Sequence, residues 1–108
     1  MAIQTVTTEN FDRVVAASDR PVLVDFSAPW CVFCRRIAPV VEQLAAQRAD
    51  TLAVGAIDID EQPQLAERFS VMTIPTLLLF KNGQAGEPLI APQSRMQIDA
   101  WLKDQGAL

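Results

Sequence analysis

A chain of 108 residues, half of them hydrophobic and a fifth charged, has enough apolar material for one packed domain and lies far from the composition of a disordered segment. Its net charge of −4, with Arg35-Arg36 the one adjacent basic pair, argues against binding nucleic acid or an anionic membrane, and no apolar run approaches the ~20 residues of a membrane span. Two cysteines and no histidine remove histidine-based acid/base catalysis and histidine metal ligation.

The stretch from Ile3 to Val6 reads as a short strand, and Thr8 is placed to cap a helix that carries Phe11, Val14 and Val15 on one side. Val22-Leu23-Val24-Asp25-Phe26, after Pro21, is β-branched and almost wholly apolar, the pattern of a central strand covered on both faces. From Val32 to about Ala49, Cys34, Ile37, Ala38, Val41, Leu44 and Ala45 form one apolar stripe. That is the longest helix, and Pro39 inside it removes one backbone donor and should kink it. Leu52 to Ile59 is a further buried strand, and Asp60 to Phe69 a short helix with Pro63 in its first turn. Thr76 to Phe80 is a third apolar strand, followed by the turn pair Asn82-Gly83 and a hairpin partner at Pro88 to Ala91, where Pro88 fits only an edge. Ser94 and Gln97 match a capping box, and Ile98, Trp101 and Leu102 supply the buried side of a last helix. The order is βαβαβαββα, an α/β fold in a single domain spanning residues 1–108 without repeat or linker.

Trp30-Cys31-Val32-Phe33-Cys34 falls between the central strand and the long helix. Cys31 then sits at the helix N-terminus, beside Arg35 and Arg36, where unpaired N–H groups and the positive dipole end favour a thiolate. Cys34, one turn on and expected to be more buried, suits a resolving thiol. Three plainer readings compete. Half of a zinc site would need further Cys or His ligands that the chain lacks, so no metal is expected. A structural disulfide closing so few residues constrains the unfolded chain little, and two inert core cysteines fit poorly with the strand-to-helix junction and the adjacent Trp30. The start, Met1 to Thr5, lacks the basic and long apolar regions of a signal peptide, so a cytoplasmic location is expected, where paired cysteines do redox or metal work. Asp25, a carboxyl on an apolar strand, should have a raised pKa and could act as an acid or base near neutrality; the alternative is a hydrogen-bonded structural aspartate.

Beyond Trp-Cys-x-x-Cys, the sequence holds Val24-Asp25-Phe26, Pro39 in the long helix, Asp58-Ile59-Asp60, Thr73-Ile74-Pro75-Thr76 and Phe80-Lys81-Asn82-Gly83. Together and in this order these pieces resemble the thioredoxin family over essentially the whole chain. The resemblance implies a thioredoxin fold, a central mixed five-stranded sheet flanked by four helices. It implies a thiol–disulfide oxidoreductase that reduces protein disulfides through a redox-active disulfide between Cys31 (nucleophile) and Cys34 (resolving), with Asp25 aiding proton transfer. Ile74-Pro75 resembles the family's cis-proline loop, which pairs with an extended substrate segment. Trp30, Val32, Phe33 and Ala91 would line the same groove, whereas Trp101 looks like core. The family binds no cofactor of its own and draws electrons from NADPH through a flavoprotein thioredoxin reductase. A monomer acting on disulfide-containing proteins is expected.

Departures from the family pattern are Val32-Phe33 in place of Gly-Pro, Ser27 for a common tryptophan, Ala56 for a lysine near the buried aspartate, Ala91 for a groove glycine, and Arg36 for an apolar residue. Phe33 restores a backbone donor that proline lacks, which predicts a weaker reductant than Gly-Pro thioredoxins at about −270 mV. An oxidase or isomerase, or a non-catalytic peptide-binding module, is the alternative; retention of both cysteines and Asp25 argues against the module.

Overall fold

The computed structural model describes residues 3–107. Among them, six strand segments form one mixed sheet: β1 (Ile3–Thr5), β2 (Val22–Ser27), β3 (Ala53–Asp58), β4 (Thr76–Lys81), β5 (Gln84–Ala85) and β6 (Leu89–Ile90). The spatial order is β1-β3-β2-β4, with β5 and β6 side by side in sequence along the free edge of β4. β1, β3 and β2 run parallel, and β4 is antiparallel to β2. The helices are α1 (Asp12–Ala16), α2 (Val32–Gln47), α3 (Pro63–Arg68) and α4 (Arg95–Asp104).

The unbroken apolar run of β2 is explained by cover on both faces. Leu23 joins Leu77, Leu79, Ile37, Leu44, Ile98 and Leu102 under α2 and α4. Val22, Val24 and Phe26 join Phe11, Val15, Leu65 and Phe80 under α1 and α3. Strand alternation therefore turns Asp25 toward the α2 face, the side of Leu23. Trp101 is a core residue, and its indole N–H donates to the carbonyl of Glu87 at 2.9 Å.

The element order is the expected one, with four local corrections. Thr8 does not cap the first helix. The N-cap position is Phe11, which has no side-chain cap; in the preceding turn Thr7 Oγ1 accepts from the N–H of Asn10 (3.2 Å) while Asn10 Oδ1 accepts from the N–H of Thr7 (2.7 Å). The helix itself is a single wide turn closed by Ala17 N–H to Asp12 O at 2.8 Å, a five-residue bond. The hairpin strand is split: Asn82 and Gly83 both have positive φ and turn the chain straight into β5, and Pro88, which has no N–H to give, lies between β5 and β6. Ser94 caps α4 by accepting from Gln97 N–H at 3.2 Å, but the Gln97 side chain bonds the N–H of Gln93 and not of Ser94. α2 runs through Pro39 without interruption.

Candidate active site

β2 ends at Ser27, and a turn closed by Cys31 N–H to Ala28 O at 3.1 Å delivers Cys31 to the start of α2 as its N-cap. Cys31 is in extended conformation, and its sulfur accepts the N–H of Cys34 at 3.2 Å, an orphan donor of the first helical turn. The two cysteines are joined as a disulfide with Cα atoms 5.2 Å apart. Both are buried, Cys34 at 4% exposed slightly more than Cys31 at 6%, in the expected order but by a small margin. What distinguishes them is position: only the Cys31 sulfur caps the helix. Arg35 and Arg36, expected beside that sulfur, make their described contacts elsewhere. The guanidinium of Arg35 donates to the carbonyl of Pro29 at 3.1 Å, and that of Arg36 lies over the Phe33 ring, 5.5 Å from its centroid. The positive charge seen directly on the sulfur is that of the backbone, the Cys34 N–H at the helix N-terminus.

Across from the disulfide, the Ile74–Pro75 peptide is cis, and the carbonyl oxygen of Ile74 lies 3.9 Å from Cys31 Sγ. The next strand is pinned here as well, with Ala91 N–H donating to Pro75 O at 2.7 Å. Ala91 holds φ at +50°, a left-handed conformation that glycine adopts without cost. Trp30, Val32 and Phe33 project from the rim as exposed apolar side chains. The indole N–H of Trp30 donates to Asp60 Oδ2 at 2.7 Å, and Asp58 in turn accepts the N–H of Asp60 at 2.9 Å. Asp60 was not singled out from the sequence for any role. Its signal, a carboxylate just after β3 near the plane of Trp30, exists only once the strands are aligned.

Asp25 lies beneath this surface. It is buried, its Oδ1 has no hydrogen-bond partner among the described residues, and burial pushes the carboxyl up from 3.8 to about 7. In the parallel register its neighbour on β3 is Ala56, which offers no polar atom from its side chain. Two cavities meet at Asp25. One, of about 230 Å³, also reaches Cys34, Ser27 and Asp58; the other, of about 490 Å³, reaches Ala56, Val41 and Glu42. Both are roomy and polar enough to admit water to the carboxyl. No group of three or more metal-ligating side chains is arranged for a metal among the described residues.

A disulfide at a helix N-terminus, faced by a backbone carbonyl and backed by a buried carboxyl, defines a thiol–disulfide oxidoreductase. Comparison with known proteins agrees. A family model described as Thioredoxin matches residues 2–104, so the chain belongs to the thioredoxin family. A thioredoxin of Alicyclobacillus acidocaldarius is 44% identical over 103 residues, covering 95% of this chain and 97% of its own. Thioredoxin 1 of a Nostoc species is 47% identical over 102 residues, covering 94% and 95%. A bifunctional thioredoxin reductase/thioredoxin of Mycobacterium leprae is 37% identical over 99 residues, which are 92% of this chain and 22% of that protein. The chain is a protein-disulfide reductase that cycles Cys31 and Cys34 between dithiol and disulfide.

Proposed function

We propose that Cys31 is the attacking sulfur, Cys34 the resolving one, and Asp25 the group that takes the resolving proton. In the reduced protein the Cys31 thiolate attacks one sulfur of a substrate disulfide. A mixed disulfide forms and the first substrate sulfur leaves as a thiolate. The Cys34 thiol then gives its proton to the Asp25 carboxylate and attacks Cys31 sulfur. The second substrate thiolate leaves, two electrons have passed to the substrate, and Cys31–Cys34 is closed. A carboxyl with a pKa of about 7 is partly ionised at neutral pH, so it can accept that proton and release it again to water. The extended substrate segment lies along Ile74-Pro75, with Trp30, Val32, Phe33 and Ala91 around it.

The observation that carries this reading is the Cys34 N–H to Cys31 Sγ bond, which favours negative charge on Cys31 alone. Reduction of insulin by dithiothreitol, followed by turbidity with the parent and with Cys31→Ser, tests it. Parent catalysis lost in the variant is expected; equal rates would sink the assignment. For regeneration, electrons come from NADPH through a flavoprotein thioredoxin reductase, a partner suggested by the Mycobacterium leprae relative whose one chain bears both names. NADPH oxidation that starts only when reductase, this protein and insulin are all present is the check. The protein works as one domain over residues 1–108, as a monomer in the cytoplasm. No helix among the described residues is long and apolar enough to cross a membrane.

A further inference from the structure

Beside the cysteine pair, on the α2 side of the Ile74-Pro75 loop, a cleft of about 370 Å³ is lined by Phe33, Arg36, Ile37, Ala91, Pro92 and Gln93. It continues the substrate groove, because Ala91 is bonded to Pro75 and Ile74 faces Cys31. Its floor is apolar, from Ile37 and Pro92, both buried, and from the face of Phe33. Its one charged lining residue is Arg36. Its guanidinium carbon lies over the Phe33 ring, 5.5 Å from the centroid, and no carboxylate among the described residues pairs with it. A guanidinium beside an aromatic ring and without an acidic partner has N–H donors left for an incoming carboxylate. The opposite rim differs in sign, since Trp30 is anchored on Asp60 and Asp58 and Glu61 stand next to it in the chain. On a chain of net charge −4, this cleft is a local positive station a few residues from the nucleophile.

We infer that Arg36 is a specificity-determining residue: the Phe33–Arg36 cleft selects disulfide substrates that carry an aspartate or glutamate flanking the attacked cysteine. The inference rests on the disulfide-reductase reading and adds the chemistry of the partner. An acidic side chain lays its methylenes on Ile37 and Pro92 and its carboxylate on the guanidinium. A lysine there would place like charge against Arg36.

The test uses fluorescence-quenched peptides held by one disulfide, identical except for Glu, Gln or Lys beside the attacked cysteine, with dithiothreitol as the reductant. For an exposed charge pair, kcat/KM for the Glu peptide should exceed that for the Gln peptide by about three- to fivefold at low salt, with Lys lower still. The ratio should fall toward one in ~1 M salt, where screening acts within about 3 Å. Arg36→Gln should abolish the ratio and Arg36→Lys restore part of it. Lys103→Gln, which removes one positive charge from the last turn of α4, should leave the ratio intact. A parent with no preference, a preference that survives Arg36→Gln, or one lost equally in Lys103→Gln would overturn the inference and leave the reductase reading standing. A parent that reduces none of the peptides would instead remove the reading beneath it.

Discussion

Replacing Asp25 with asparagine removes a charge whose cost can be read from the structure. The carboxyl is buried, one of its oxygens has no partner, and its pKa rises from 3.8 to about 7. Between those two values the folded state holds a proton that the unfolded state has already released, so stability falls as pH rises through that window and levels off above it. At about 1.4 kcal/mol per pH unit, the interval amounts to at most about 4 kcal/mol, a large share of a domain's 5–15 kcal/mol. Asparagine keeps the shape and never ionises. Urea unfolding of oxidised parent and Asp25→Asn at pH 4, 5.5, 7 and 8.5 should therefore show almost no pH-linked difference at pH 4. The variant's advantage should then grow to a few kcal/mol above pH 7. Any penalty for burying an amide is an offset common to every pH, so the growth of the difference is the quantity that tests burial. Parallel curves for the two proteins from pH 4 to 8.5 would refute the reasoning.

Three further outcomes are expected. In the reduced protein at mildly acidic pH, iodoacetamide should alkylate Cys31 before Cys34, because only Cys31 sulfur caps the helix; peptide mass spectrometry showing Cys34 labelled first would reverse the roles. Ala91→Gly should raise the urea midpoint, by about 1 kcal/mol in stability, by relieving a left-handed φ of +50° while keeping the N–H to Pro75; an unchanged or lower midpoint would show that the strain is absorbed elsewhere. The double change Val32→Gly, Phe33→Pro should lower the redox potential by about 30 mV, since it deletes a donor near the sulfurs. Val32 and Phe33 are 50% and 60% exposed, turned outward instead of shielding the site, and glutathione equilibration read by Trp30 fluorescence at an equal or higher potential in the variant would contradict this.

The sheet was legible because its central strands are wrapped on both sides: β2 and β4 are apolar at every position but Asp25, Ser27, Thr76 and Lys81, and such a run suits only a covered strand. Asn82-Gly83 was legible because two consecutive positive φ angles are rarely tolerated by other residues. What stayed hidden depends on partners distant in sequence or on competition between equals. Thr7 and Thr8 are both residues of capping type, yet Thr7 exchanges bonds with Asn10 in the turn before the helix, and the helix itself starts after Phe11 without a side-chain cap. Phe11 and Val15 stand four apart in an ordinary helix and equally in one wide turn. The cavities around Asp25 follow from β2–β3 register, which puts Ala56 beside the carboxyl. Arg36 over Phe33, by contrast, is a three-residue helical spacing that could have been read in advance.

The departures at Val32, Phe33, Arg36, Ala56 and Ala91 divide according to what each atom does. Charge on Cys31 is favoured by a helix N-terminus and a main-chain N–H; the loop facing it presents Ile74 O and is tied by the Ala91 N–H on Pro75. All of these are backbone groups, which a change of side chain leaves in place provided the φ is tolerated, and Ala91 marks where that tolerance is strained. The side chains of Phe33 and Arg36 are exposed and lie against each other, and in the proposed reading they meet the segment that brings a disulfide to the site. Asp25 is the exception, the side chain we propose takes the resolving proton, and its burial on a central strand raises its proton affinity. Substitutions at the rim should accordingly move kcat/KM between substrates while leaving the pH profile fixed, and substitutions around Asp25, such as Ala56→Lys, should shift the pH profile for every substrate alike.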